Sequence, residues 1–269
     1  MECQNVPNID LCLPSTRRYQ YQGKEQFREL LGQFLDQVLD DPTTLDENEY
    51  IIFHIDNSNI ERDFLDEEGS ICFISFEPAK SILVVKMHTM MRQNGADSIK
   101  SAVRSVLSPM GLRKAFRGSS GVPVHLPNET EVANAAWVPV GTRYATMVLE
   151  VAVSECLARL RRDVDMWVDP ARGNIKVVLM IVRKSEIKLE RYEWDSIKQK
   201  SRRAQLIIIK ENEGQVTVAE SPLIIPFEYL LERAPLPEES DIQIEEKALK
   251  EIADDVWSCQ ESPFLQPKP

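Results

Sequence analysis

Two almost wholly apolar runs, Thr146–Val153 and Ile175–Val182, interrupted only by Glu150 and Lys176, enclose one amphipathic stretch, and this arrangement restricts the fold more than any other feature of the chain. A strand that is apolar at both odd and even positions has no side to turn to water, so it must lie inside a sheet covered on both faces. Between the runs, residues 155–168 place Leu157, Leu160, Val164 and Trp167 on one face and Arg159, Arg162 and Asp163 on the other, with Ser154 as N-cap and Gly173 as the break. Strand, helix and strand in this order predict a parallel crossover at the centre of an α/β chain with a mixed sheet.

The flanking pattern extends this centre. A helix over 90–109, with Ile99, Ala102, Val103, Val106 and Met110 on one face, precedes a weak strand near 113–118 and a second strand, Ala133–Val138. The less regular stretch Glu186–Trp194 follows as an edge-like strand, so the order through residues 90–182 is α-β-β-β-α-β. Upstream, residues 1–22 are read as an extended arm, a helix carries Phe27, Leu30, Leu31, Phe34, Leu35 and Val38, and Tyr50–Phe53, Ser70–Ile74 and Ser81–Val85 make a β meander. Downstream come a hairpin (Ala204–Lys210 with Gln215–Ala219), a short helix at Phe227–Arg233, an acidic helix over 243–257 and a disordered tail at 260–269. With no repeat or long linker, residues 23–259 are expected to form one domain.

The net charge of −11 argues against nucleic-acid binding by the whole surface, but the charge is uneven. From Lys100 to Arg203 the chain holds 19 Lys and Arg against 11 Asp and Glu, a net of +8. The candidate nucleic-acid-binding residues are therefore Arg161, Arg183, Lys184, Lys198, Lys200, Arg202 and Arg203; an ordinary solvated surface is the competing explanation. Five scattered cysteines without a CxxC pair suggest neither a disulfide framework nor zinc, and point to a reducing compartment. No leader-like N-terminus is present and no apolar run is long enough for a bilayer, so the expectation is an intracellular protein, nuclear or cytoplasmic.

The stretches Met147-Val148-Leu149-Glu150-Val151-Ala152-Val153-Ser154-Glu155, Leu160-Arg161-Arg162-Asp163 with Trp167, and Val177-Val178-Leu179-Met180-Ile181 carry a resemblance. Leu83-Val84-Val85-Lys86-Met87, Met110-Gly111-Leu112 and a late helix with Leu249, Ala253, Val256 and Trp257 extend it over roughly residues 70–257. The chain resembles the PD-(D/E)XK nuclease-like superfamily, in particular the divergent set found in filamentous fungi. The resemblance implies a restriction-endonuclease-like αβββαβ core and phosphodiester hydrolysis by a divalent cation held between converging carboxylates.

Carried over residue by residue, the third-strand acid is Glu150, whose place inside an apolar strand requires a partner. Arg143 and Arg162 are its structural alternatives to a metal. The second-strand acid falls on Asn134 and the helix acid on Gln93, within Arg92-Gln93, so two acids are amides and the metal site is degenerate. The motif's lysine falls on Ala152, leaving Arg159 or Arg162 as the catalytic cation; Glu131 and Asp163 are conceivable but ill-fitting substitute ligands. Mg²⁺ binding is expected to be weak or absent.

His54, His88 and His125 lack partners at ligand spacing, Gly118-Ser119-Ser120-Gly121 lacks the context of a phosphate-binding loop, and no GxSxG elbow exists. Three functions remain: a nuclease-fold protein that binds nucleic acid or a protein without efficient cleavage, an active Mg²⁺-dependent DNA nuclease using Glu150, and an interaction module whose acidic C-terminal helix meets a protein partner.

Overall fold

The computed structural model describes residues 17–40, 50–64, 73–86, 90–126, 129–153, 157–183 and 186–258. The apolar run Met147–Val153 is strand β7 and Val177–Arg183 is β8, and they pair in parallel from Met147↔Val177 to Val153↔Arg183. The other strands are β1 Arg18–Gln20, β2 Tyr50–His54, β3 Phe73–Glu77, β4 Ile82–Lys86, β5 Phe116–Leu126, β6 Glu129–Pro139, β9 Ile187–Asp195, β10 Lys200–Asn212, β11 Gln215–Ala219, β12 Leu223–Ile225 and β13 Ile242–Ile244. The helices are α1 Lys24–Asp40, α2 Asn57–Phe64, α3 Met90–Leu107, α4 Leu157–Val168, α5 Phe227–Leu231 and α6 Glu246–Trp257.

Eleven strands form one sheet in the order β1-β2-β4-β3-β6-β7-β8-β9-β10-β11, with β5 on the free edge of β6. The αβββαβ order runs through α3, β5, β6, β7, α4 and β8, and only the β7–β8 pair among these strands is parallel. The protein is thus a mixed α/β fold with this core, as the sequence pattern predicts.

Both faces of β7 and β8 are covered, which is why their alternation carries no polar side. Met147, Leu149 and Val151 turn toward Ala96, Ile99, Val103 and Leu107 of α3 and toward Leu249, Ile252, Ala253 and Val256 of α6. Val148 and Ala152 turn the other way, toward Leu160, Val164 and Trp167 of α4. Each Leu, Ile or Val so buried contributes about 1.5–3 kcal/mol. A second layer on the α3 face comes from the β12–β13 pair and α5, anchored where Gln205 Nε2 donates to the Pro222 carbonyl at 2.7 Å and Oε1 accepts from the Ile224 amide at 2.9 Å.

The N-terminal part is a lobe with its own core. Tyr21, Phe27, Phe53 and Phe64 pack as tilted and edge-on rings, with Tyr21 donating to buried Asp63 at 2.8 Å. The lobe reaches the rest of the sheet through β6. On one side β6 pairs with β5 throughout its length; on the other it pairs first with β3, at Ser75↔Glu131, and then with β7, from Ala135↔Leu149 to Trp137↔Met147.

Three expectations need correction. The upstream strands are not a meander, because β4 lies between β2 and β3. The 186–194 strand is not at an edge: β9 pairs with β8 and β10 along most of its length, because the polar start of β10 (Lys200-Ser201-Arg202-Arg203) is also strand. The strand read near 113–118 is β5, an 11-residue strand containing the Gly-Ser run and Pro123, which is compatible with an edge position, since among the described residues β5 pairs with β6 alone. Segment 70–72, residues 1–16 of the arm and the whole 260–269 tail lie outside the described residues.

Candidate functional site

The point where β6 exchanges partners makes a fork. Its last pair with β7 is Ala135↔Leu149, so continuing the register sets Asn134 opposite Glu150, and beyond it β6 moves off to β3. An odd-numbered residue of β7 turns both its N–H and its C=O toward the β6 edge, so Val151 loses its ladder partners at the fork. Two side chains replace them. Asn134 Oδ1 accepts the Val151 N–H at 2.8 Å, and Arg92 Nε donates to the Val151 carbonyl at 3.0 Å. All are deeply buried: Arg92 is 1% exposed, Glu150 4% and Asn134 7%. Asn134 and Glu150 thus stand opposite one another in the register, whereas the sequence marks Arg92 only as a basic residue on the helix stripe of Ala96 and Ile99.

Gln93 does not join them. It is half-buried and turns along α3 to donate to Asp97 Oδ2 at 2.7 Å, while α3 packs on the sheet face opposite Glu150. Arg162 lies 3.8 Å from Asp163 Oδ1. Arg159 is in α4 and Arg183 ends β8, but their side chains, like the whole of Lys184, lie outside the described residues.

These residues do not fit a divalent cation. Among the described residues no three His, Cys, Asp or Glu side chains cluster as a metal site. Asn134 brings no charge, and its oxygen is committed to a peptide N–H. Glu190 shares the Glu150 row through Met180, two strands across, or about 10 Å between backbones. Both its oxygens are engaged, one by the Tyr192 hydroxyl and the other by Arg203 Nη1 at 3.2 Å.

The same row leads to an open groove. The helix α4 packs across β7, β8, β9 and β10, and beside it lies a cavity of about 710 Å³ lined by Arg161, Asp165, Tyr192, Trp194, Lys200 and Arg203. A smaller one of about 290 Å³ continues past Arg161 and Arg203 to Lys188 and Glu190. Arg161 and Asp165 lie one turn apart on one stripe of α4, with Asp169 just beyond its end, and Glu190, Tyr192 and Trp194 share one face of β9. Burial, with the bond to Glu190 second, pushes the Tyr192 hydroxyl up to about 12. Of the sequence candidates, Arg161, Lys200 and Arg203 meet in this groove. Arg202 turns to the opposite face, 3.3 Å from Glu193, which Arg191 also binds, and Lys198 is exposed in the β9–β10 turn.

No family model and no curated protein matches the chain. Two solved structures are similar at low identity. One, from Anabaena variabilis and described as a candidate nuclease of the DUF820 group, has 10% identity and a TM-score of 0.36 over 65% of this chain and 86% of that one. The other, the type IIG restriction endonuclease BpuSI, has 12% identity and a TM-score of 0.31 over 64% of this chain and 17% of that one. The αβββαβ assignment rests on the strand pairings of the chain itself. No helix among the described residues is long and apolar enough to cross a membrane.

Proposed function

We propose that residues 23–259 act as one nuclease-fold domain that binds nucleic acid without efficient cleavage. The observation that carries this reading is the fork, where a guanidinium and an amide converge on the Val151 peptide in place of a set of carboxylates. Hydrolysis of a phosphodiester needs a cation to activate water and to neutralise the phosphate, and one buried carboxylate offers it too little compensation for lost water. Binding falls to the groove beside α4, where Arg161, Lys200 and Arg203 supply charge and Trp194 an aromatic surface. Asp165 and Asp169 reduce the positive potential there, so the salt dependence should be shallow, with a slope of about −1 to −3.

Fluorescence anisotropy with labelled single- and double-stranded oligonucleotides, from about 50 to 200 mM salt, tests the binding. The expected result is salt-sensitive binding that weakens at least tenfold in Arg161→Glu/Arg203→Glu. Equal binding by natural and variant chains would remove the groove from the reading. Supercoiled plasmid incubated with Mg²⁺ or Mn²⁺ should stay intact; nicking that disappears in Glu150→Gln would establish the active-nuclease alternative. Absence of any nucleic-acid binding would leave the protein-interaction alternative, through the outer face of α6.

A further inference from the structure

The groove beside α4 holds acids that a surface built only for phosphates would lack. Arg161, Lys200 and Arg203 share the cavity with Asp165 and Asp169, and Arg203 is already held 3.2 Å from Glu190. The local charge is therefore close to balanced, and a duplex, which binds by dense phosphate neutralisation, gains little there. Asp169 is accounted for within the chain: Oδ1 accepts the Ala171 N–H at 2.9 Å and Oδ2 lies 3.8 Å from Arg172. Asp165 is not. It is exposed, one turn after Arg161, and no hydrogen bond or ion pair among the described residues occupies its carboxylate. The same cavity holds Trp194, which is half-buried, packs in part on the core that includes Tyr192, and lies opposite Ser201 of β10 in the strand register.

We propose that this groove takes an unpaired base of a single strand, guanine above the others, with the base stacked on Trp194 and its Watson–Crick edge on Asp165. The inference rests on the nucleic-acid-binding reading above and names the form of nucleic acid. A carboxylate repels phosphate, yet as an acceptor with two oxygens side by side it matches paired N–H donors. Guanine offers two parallel donors, N1–H and one N2–H, on the edge that base pairing hides in a duplex. Thymine and uracil set a carbonyl on each side of a single N–H, so the same carboxylate disfavours them. Arg161 and Lys200 then need to hold only the phosphates that flank the base. An aromatic ring in a groove between α4 and the β9–β10 strands meets a splayed base, not one stacked inside a duplex.

Fluorescence anisotropy of the full chain at one salt concentration tests this with a labelled oligo-dT strand, the same strand carrying a central dG, and the latter annealed to its complement. RNA versions of the single strands run alongside, and the tighter of the two dG or G strands names the source. The dG strand should bind at least about fivefold tighter than oligo-dT and than the duplex. Asp165→Ala, an exposed change, should bring the two single strands within about twofold of each other while leaving the oligo-dT affinity unchanged or tighter, since a negative charge is gone. A side chain needed only for the fold would weaken both alike. Trp194→Leu, which keeps an apolar side chain on the core, should weaken both strands about tenfold. Equal affinity of the natural chain for the dG and oligo-dT strands overturns the proposal. So does a dG preference that survives Asp165→Ala, or a duplex bound as tightly as the single strand. Binding of no probe at all refutes the nucleic-acid reading itself, whereas indiscriminate binding of every probe refutes only the unpaired-base site, so the two failures are distinguishable.

Discussion

Asn134→Ala should be among the more damaging single substitutions in the sheet, although asparagine is a poor strand former. In the native fold Oδ1 of Asn134 is the acceptor for the Val151 N–H at 2.8 Å, and Val151 is wholly buried. Removing it strands a buried donor, which costs about 1–3 kcal/mol. Loss of the side-chain contacts adds about 1 kcal/mol, and the better strand propensity of alanine returns only a few tenths. The net expectation is about 2–3 kcal/mol, or a melting point lower by about 4–10 °C. Urea unfolding should report a lower midpoint with an unchanged slope, and the Val151 amide should lose its hydrogen-exchange protection. Asn134→Asp keeps an oxygen at the same position, and Arg92 on the adjoining carbonyl offsets its charge, so its loss should be smaller than that of alanine. A loss below about 0.5 kcal/mol for alanine would show that the amide is not structural. Aspartate worse than alanine would show that the guanidinium on the Val151 carbonyl does not offset a second negative charge at the fork.

Gly95→Ala should raise stability. A Cβ there would meet Val256, Ile181 and Val151 at 3.4, 3.5 and 3.5 Å, ordinary contact distances, while the helix gains about 0.5–1 kcal/mol; a lower melting point would mean that α3 lies closer to the sheet than described. Alkaline stability should depend on Tyr192. Its folded value, about 12, exceeds the ordinary 10, so its neutral form stabilises the fold below pH 10 and that contribution is lost as pH rises from 10 through 12. Tyr192→Phe should make the fall over this range shallower, as followed by circular dichroism; an unchanged profile would remove Tyr192 from it.

Much of the fold is legible in the sequence because burial on both faces leaves a residue pattern. The runs at β7 and β8 and the stripe Leu160, Val164 and Trp167 state the crossover outright. The edges are less legible. Gly118, Ser119, Ser120 and Pro123 spell a loop by local preference, yet β5 forms because β6 pairs with it from Phe116↔Pro139 to Leu126↔Glu129, with a gap only at Gly121 and Asn134. The polar start of β10 is likewise strand because it crosses beside the groove, where its side chains meet water or buried glutamates. At the candidate site, the register of Glu150 and Asn134 follows from strand pairing, whereas Gln93 rests on the resemblance, which fixes the helix position only approximately. A helix turn rotates a side chain by about 100°, so an error of one position moves it to another face. Arg92 escaped notice because the sequence does not tell a solvated arginine from a buried one.

The shared edge of β6 also bears on how the molecule comes apart. Among the described residues, no buried core cluster joins the N-terminal lobe to the β7–β11 region. What joins them in the sheet is one strand, which reaches back to Ser75 from Glu131 while closing a hairpin with its immediate neighbour β5. That hairpin is local in sequence and can form early, whereas the β3 contact must close a long loop. The chain therefore has two cooperative units with a common template. The N-terminal unit is then expected to open while the crossover around β7 and β8 persists, and hydrogen exchange should find the β2 and β4 amides exchanging together and before those of β7 and β8.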